Sequence, residues 1–94
     1  MTIHWTPRAQ RQFLAIIDRI LADNPYAAER VYEAITDGTS QLMTFPERGR
    51  RGRISGTREL VIPSLPYIVA YRVRGGTVHV LAVMHSAQRW PEQF

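Results

Sequence analysis

The sequence predicts an α+β fold with the element order β-α-α-β-β-β, in which a helical hairpin packs on a small, antiparallel-rich sheet. The main observation is a change in hydrophobic period. Apolar residues follow helical spacing in the first half of the chain and form alternating or β-branched runs in the second half. Because two helices precede three strands joined by short turns, we expect the helices to gather on one sheet face. We expect residues 1–94 to form one domain.

The first part of the chain predicts a short strand and a long helix. Ile3 and Trp5 alternate with polar residues, as in a strand. Thr6 supplies a capping hydroxyl, and Pro7 is well tolerated as the first residue of a helix. One apolar stripe at the period of 3.6 residues follows, formed by Ala9, Phe13, Ile16, Ile17, Ile20 and Leu21.

A second helix is predicted from about Pro25 to about Met43. Asn24 ends the first helix because a residue before proline disfavours the helical conformation, and the same asparagine is a good cap for the next helix. The short link predicts an antiparallel helical hairpin. The apolar residues at helical spacing in this segment are Ala28, Val31, Ile35 and Leu42.

The second half of the chain predicts a loop followed by three strands. Residues 47–56 are rich in arginine and glycine and are expected to form the loop. Gly75-Gly76 is a strong signal for a two-residue hairpin loop. The middle strand is apolar on both faces for most of its length, which predicts a central position. The predicted strands cover residues 58–62, 67–74 and 77–85, with a turn at 63–66.

The charge of the chain favours an anionic partner. The net charge is +4, the pI is about 10.3, and all twelve basic residues are arginine. The planar guanidinium fork suits phosphate and carboxylate, so an arginine cluster favours nucleic acid or an acidic protein; a solvated basic loop is the alternative. The aromatic residues of the C-terminal tail either contact a partner or fold back over the sheet. The residues predicted to bind a partner are Arg48, Arg50, Arg51, Arg53, Trp90 and Phe94.

Other classes are disfavoured by what the sequence lacks. Without cysteine there are no disulfides and no thiolate zinc sites. His4, His79 and His85 share no close ligand spacing, so we expect no metal and no cofactor. No apolar run approaches the ~20 residues that span a bilayer, and the N-terminus lacks the apolar core of a signal peptide. We therefore expect a soluble, cytoplasmic protein without membrane contact.

Five phrases, in order along essentially the whole chain, resemble the RelE/ParE toxin superfamily. They are "WTPRAQRQF", "NPYAAERV", "FPERGRRGRISGTREL", "PYIVAYRV" and "VLAVMHSAQRWP". The resemblance implies the toxin of a type II toxin–antitoxin pair, with the β-α-α-β-β-β order expected above. It also implies a hetero-oligomer with a cognate antitoxin, whose acidic C-terminal segment is expected to bind the exposed last strand or the helical hairpin.

The superfamily has two branches with different targets. Resemblance to the RelE branch implies a ribosome-dependent endoribonuclease that cuts mRNA. Resemblance to the ParE branch implies a toxin that poisons DNA gyrase and is not known as a nuclease. Cleaving RNA without a metal requires a base, an acid and cations around one phosphate. If this chain is RelE-like, the candidates for those roles are Arg58, Arg72 and His85.

The predicted hairpin register separates these candidates. With Gly75-Gly76 as the loop, Arg72 lies opposite His79, and His85 lies opposite Pro66. Arg72 and His85 then share a face but are roughly 20 Å apart at about 3.3 Å per residue. Arg58 is expected near Tyr71, at the Arg72 end. The three side chains are therefore predicted not to serve one phosphate.

The central strand also favours the ParE branch. RelE-type nucleases typically carry arginine in a phrase like "YRLVY", and here Ile68 stands at that position. We therefore predict a ParE-like gyrase inhibitor that is not an enzyme. The first alternative is a RelE-like, metal-independent endoribonuclease that uses His85, and the second is a non-toxic basic module that binds nucleic acid or protein. Arg72 has the further alternative of pairing with Glu59 or with an antitoxin carboxylate.

Overall fold

The structure, a computed structural model that describes all of residues 1–94, has two helices packed on one face of a five-stranded mixed sheet. The predicted α+β class is confirmed, and every predicted element is present in the predicted order, with one additional short strand. The elements are β1 (Thr2–Trp5), α1 (Pro7–Asp23), α2 (Pro25–Ser40), β2 (Arg50–Arg51), β3 (Arg58–Val61), β4 (Tyr67–Arg74) and β5 (Thr77–His85). A 3₁₀ turn, Gln41–Met43, extends α2 to the predicted end.

The helix boundaries follow from the caps that the sequence predicts. The Thr6 hydroxyl accepts a hydrogen bond from the Ala9 amide at 3.2 Å, which satisfies a free N–H of the first turn of α1. Asn24 serves both helices: its amide donates to the Ile20 carbonyl at 2.8 Å, and its side chain accepts from the Ala27 amide at 3.1 Å. One residue therefore ends α1 and begins α2. Neither helix combines the length and apolar character needed to cross a membrane.

The strand order is β1-β5-β4-β3-β2, with β1 parallel to β5 and the other neighbours antiparallel. Two expectations need correction. The last strand is not exposed, because β1 pairs with its first half and Gln12 of α1 accepts a hydrogen bond from the Val83 amide at 2.9 Å along its second half. The predicted loop also contains the two-residue strand β2, so β1 and β2 are the edge strands.

A β-bulge in β5 changes the register that the hairpin predicts. Near the turn the prediction is confirmed, since Arg72 lies opposite His79. Beyond it, Tyr71 faces Val80 while Ala70 faces Ala82, so Leu81 is the extra residue. The predicted pairing of His85 with Pro66 is therefore wrong by one residue, and His85 lies opposite Tyr67.

Both faces of the sheet are covered, by different parts of the chain. The larger core lies between the sheet and the helices, and its buried members include Phe13, Ile35, Leu42, Val69, Tyr71 and Val80. A smaller apolar cluster on the opposite face contains Ala70, Ala82 and Met84, with Trp90 and Phe94 packed against it. The tail thus folds back over the sheet, as one of the two sequence-based alternatives expects.

Candidate functional site

Glu59 organises the arginine-rich loop. Its carboxylate is only 2% exposed and accepts hydrogen bonds from the Arg53 amide at 2.8 Å and from Arg53 Nε at 3.1 Å. Arg50 Nη2 donates to the same carboxylate at 3.0 Å. Charge-assisted bonds of this kind are among the stronger ones in proteins. Of the four loop arginines predicted to bind a partner, Arg50 and Arg53 are therefore already paired with Glu59 within the chain.

The ionisation of Glu59 reflects this arrangement. Burial by itself raises the pKa of the carboxyl, because the charged form is desolvated. The hydrogen bonds from the Arg53 side chain, the Arg53 amide and the Arg50 side chain outweigh that effect, so the pKa of Glu59 lies below its usual value. The carboxylate stays charged and holds the loop at neutral pH. The sequence-based alternative that Glu59 pairs with Arg72 is wrong.

The C-terminal tail is attached to the loop through Arg53. The Arg53 guanidinium carbon lies 3.8 Å from the centre of the Trp90 ring, a cation–π contact on the side chain that also binds Glu59. Arg8 of α1 lies over the Phe94 ring at 5.8 Å. The Trp90 Nε1 atom is buried without a hydrogen-bond partner. The two aromatic residues predicted to bind a partner are thus packed against the sheet and partly buried.

Tyr71 and Arg58 hold the start of the loop. The Tyr71 hydroxyl donates to the Pro46 carbonyl at 2.7 Å and accepts from the Gly49 amide at 2.9 Å. Burial raises the pKa of Tyr71, more than the Gly49 hydrogen bond and the Arg58 charge lower it, so the hydroxyl remains a donor. Arg58 Nη1 donates to the Gly49 carbonyl at 2.9 Å. A Cβ at Gly49 would overlap the Tyr71 ring, which explains the glycine.

The remaining loop arginines differ in how they are engaged. Arg48 hydrogen-bonds to Gln41 and lies over the Phe45 ring at 5.5 Å. The Arg51 side chain is exposed and makes no hydrogen bond or ion pair within the chain. Of the four loop arginines, Arg51 is therefore the one whose guanidinium is wholly available.

The three candidates for RNA cleavage do not converge. Arg58 lies opposite Tyr71, as predicted, and Arg72 lies opposite His79. Tyr67, the residue opposite His85, is five residues from Arg72 along β4, or about 17 Å at ~3.3 Å per residue. The expectation that Arg72 and His85 share a face is wrong. The bulge inserts one residue into β5, so every side chain beyond it points to the face opposite to the predicted one. Arg72 and His85 thus lie slightly closer along the strands than the sequence predicts, but they point to opposite faces of the sheet.

The position at which RelE-type nucleases typically carry arginine is apolar and closed here. Ile68 is 4% exposed and lies opposite Met84, in the part of the sheet next to the tail. Its neighbour on the same face, Ala70, packs in the cluster that contacts Trp90. No cationic side chain occupies this part of the central strand.

An apolar groove lies between β1 and the helical hairpin. It has a volume of about 460 Å³, and its lining includes Trp5, Phe13, Leu14, Tyr32 and Met43. Leu14 is 56% exposed and Tyr32 is 48% exposed, so the groove presents large apolar side chains to solvent. Phe13 stacks on Tyr32 at 5.3 Å between ring centres, which fixes the groove wall. Sequence reasoning assigned the hairpin a binding role but did not identify these side chains.

Two structural contacts had no signal in the sequence. Gln12 accepts from Val83, 71 positions away, and the His4 ring contacts the His79 ring at 5.8 Å across the parallel β1–β5 pair. Neither spacing matches a local motif, so both pairs emerge only from the tertiary arrangement.

Comparison with known proteins places this geometry in a family. The family model for the ParE toxin of the type II toxin–antitoxin system, parDE, matches residues 3–90. A putative toxin, Y4kP, of Sinorhizobium fredii is 44% identical over 90 residues, covering 96% of this chain and 93% of the relative. Toxin RelE2 of Caulobacter vibrioides is 34% identical over 84 residues, covering 89% of this chain and 93% of the relative.

A solved structure agrees with the fold. The structure described as the chromosomal ParDE TA system from P. aeruginosa has a TM-score of 0.80 and 24% identity, covering 90% of this chain and 95% of that chain. The chain therefore belongs to the ParE toxin family of type II toxin–antitoxin systems.

Proposed function

We propose that this toxin inhibits growth by binding DNA gyrase, as ParE-like toxins do, and that it cleaves no RNA itself. The proposal combines membership of the ParE toxin family with the geometry of the candidate catalytic side chains. Gyrase and the ribosome are both cytoplasmic, so the proposal also places the toxin in the cytoplasm.

The separation of Arg72 from His85 carries the proposal. An acid, a base and a phosphate-binding cation must lie within hydrogen-bond reach of one phosphodiester. Here the two side chains leave opposite faces and are about 17 Å apart along the sheet. The buried Ile68 occupies the central-strand position at which RelE-type nucleases typically carry an arginine, so this chain has no cation there. What remains is a surface suited to contacts rather than to bond breaking.

Two assays on one toxin preparation test the proposal. The first measures supercoiling by purified gyrase and the accumulation of cleaved DNA, and the second measures intact mRNA in a translation reaction. We expect loss of supercoiling with intact transcripts. Unchanged supercoiling at micromolar toxin would contradict the proposal.

Ribosome-dependent RNA cleavage is the alternative, and two observations favour it. The Caulobacter vibrioides relatives are named RelE1, RelE2 and RelE3. His85 is exposed at the end of β5, where it is accessible to a substrate. The alternative predicts cut transcripts that are lost with His85→Ala. Harmless expression without an antitoxin would instead favour the non-toxic basic module.

We further infer a cognate antitoxin as the inhibitory partner, in keeping with the toxin–antitoxin system named for the P. aeruginosa structure. The apolar groove beside β1 is the surface that suits an amphipathic segment, and an acidic segment matches the basic chain. The test is co-purification with the product of the adjacent gene. Leu14→Asp is expected to weaken the complex, and Leu21→Asp, on an exposed residue outside the groove lining, is the matched control.

A further inference from the structure

The C-terminal tail is fixed at its start and is free of hydrogen bonds along the rest of its length. Residues 85–88 form a turn that is anchored beside the start of β4, since the Ser86 amide donates to the Pro66 carbonyl at 2.7 Å. Residues 89–94 make no hydrogen bond and no salt bridge with any part of the chain. Beyond its fixed turn, the tail is therefore held only by packing and ring contacts.

Two aromatic side chains hold this segment against the sheet. Trp90 and Phe94 pack on the smaller apolar cluster, in which Ala70 and Ala82 lie directly opposite each other on β4 and β5. The small alanine side chains leave room above the strands, and the two rings occupy it. The other residues of the segment, Arg89 and 91–93, are exposed. The attachment of the tail therefore depends on its two rings.

The packed position of the tail leaves one polar group unsatisfied. Trp90 Nε1 is buried and has no hydrogen-bond partner. A buried donor without an acceptor has lost the hydrogen bond that it makes with water, and this loss is unfavourable. The indole N–H regains that bond when the segment leaves the sheet. The unsatisfied donor therefore favours release of the tail and opposes the apolar packing of the rings.

Arg53 supplies an attraction that offsets this unfavourable contribution. Its guanidinium carbon lies 3.8 Å from the centre of the Trp90 ring, whereas that of Arg8 lies 5.8 Å from the centre of the Phe94 ring. Tryptophan is the strongest aromatic partner for a cation, and the interaction extends to about 6 Å. The contact between Arg53 and Trp90 is therefore the stronger of the two cation–π contacts that hold the tail.

Glu59 determines where the Arg53 guanidinium lies. One carboxylate oxygen accepts from Arg53 Nε at 3.1 Å, and the other accepts from Arg53 Nη2 at 3.2 Å. Pairing through two nitrogens fixes the plane of the guanidinium as well as its position. Glu59 itself is held in place, because it is buried on β3 opposite Ala70. The carboxylate therefore acts on Trp90 through Arg53.

We propose that residues 89–94 form a displaceable strap over the central strands, and that Glu59 keeps the strap closed by positioning Arg53 over Trp90. Glu59 is a positioning residue in this device, because its hydrogen bonds go to arginine and not to the indole. Release of the strap uncovers the apolar cluster on β4 and β5 and makes both rings available to a partner. The device is a property of the chain alone and requires neither gyrase nor an antitoxin.

The test is hydrogen exchange of the Trp90 indole N–H, followed by NMR on the full chain. A buried proton exchanges only when the structure around it opens, so its rate follows the population of the released strap. The indole of Trp5, on β1, gives a second signal that reports opening of the rest of the fold. The variants are Arg53→Gln, Glu59→Gln and the two combined. Arg50→Gln is the matched control, because Arg50 pairs with the same carboxylate. Circular dichroism verifies that each variant folds.

We expect Arg53→Gln to raise the exchange rate of the Trp90 indole relative to that of Trp5 by roughly 2- to 30-fold, the ratio that corresponds to the loss of a cation–π contact. Glu59→Gln should raise the same ratio. The double variant should match Arg53→Gln alone, because Glu59 acts through Arg53. Arg50→Gln is expected to leave the ratio nearly unchanged.

Three results overturn the inference. The first is an unchanged ratio in Arg53→Gln. The second is an equal rise in Arg50→Gln and Glu59→Gln, which means that general loosening of the loop releases the tail. The third is a double variant in which the two effects multiply, which means that Glu59 does not act through Arg53. If Glu59→Gln fails to fold, Glu59→Asp replaces it in these comparisons, since its shorter side chain withdraws the carboxylate from the Arg53 guanidinium.

Discussion

Arg72 and His85 leave opposite faces of the sheet, although His85 follows His79, the partner of Arg72, by six positions along β5, an even offset that would keep both on one face of a regular strand. The extra residue Leu81 reverses the alternation between them. A bulge of one residue thus decides which face His85 occupies. It places the exposed histidine opposite Tyr67, whose ring centre is 5.7 Å from that of the imidazole.

His85→Ala is expected to leave growth inhibition unchanged, because Arg58 and Arg72, the cations considered for the acid–base site, lie at the other end of the sheet from the imidazole. The measurement is colony formation after induced expression, with transcript integrity followed in parallel. Arg89→Ala, which alters a second exposed residue of the same region, is the matched control. Restored growth together with intact transcripts in His85→Ala alone would support the nuclease alternative.

Tyr71→Phe is expected to lower the free energy of unfolding by about 1–3 kcal/mol, since the Gly49 amide and the Pro46 carbonyl both lose their hydroxyl partner. Chemical denaturation measures the effect, and hydrogen exchange at Gly49 reports the local loosening. Tyr26→Phe removes a hydroxyl from a residue that is 77% exposed and should change stability little. Equal effects in the two variants would mean that the loop anchor contributes nothing.

Glu59→Gln is expected to destabilise the fold by about 2 kcal/mol at neutral pH, because hydrogen bonds to a charged acceptor are lost. The pKa of Glu59 is lowered in the folded chain. Its stabilising contribution is therefore complete above the unfolded value of about 4.3 and is lost as the pH falls through the lower folded pKa.

The wild-type protein should thus lose stability in acid more steeply than Glu59→Gln does. Denaturation midpoints measured across this acidic range give the comparison. Glu29→Gln, on an exposed residue of α2, should retain the wild-type pH dependence. Parallel curves for wild type and Glu59→Gln would show that the carboxylate is not the group responsible.

Gln12→Ala is expected to cost about 1–3 kcal/mol, because the Val83 amide at the side of β5 loses its acceptor. The side chain also donates to the Met84 sulfur at 3.7 Å. Gln10→Ala, at an exposed position two residues away, serves as the control. Faster exchange of the Val83 amide should accompany the loss, and a protected Val83 amide in Gln12→Ala would contradict this role.

The candidate site was only partly predictable. The arginine cluster was visible as composition, and the pairings of Arg72 with His79 and of Arg58 with Tyr71 followed from the turn positions. The sequence did not predict which arginines bind Glu59, because Arg50 and Arg53 approach its carboxylate only when β2 pairs with β3.

The sequence by itself determined the order of elements, the caps at Thr6 and Asn24 and the hairpin at Gly75-Gly76, because these depend on residues within one or two turns of each other. Only the tertiary structure decided the parallel β1–β5 pairing, the face of His85 and the partner of Glu59. These features depend on packing between segments remote in sequence, where a shift of one residue reverses a side chain at little local cost.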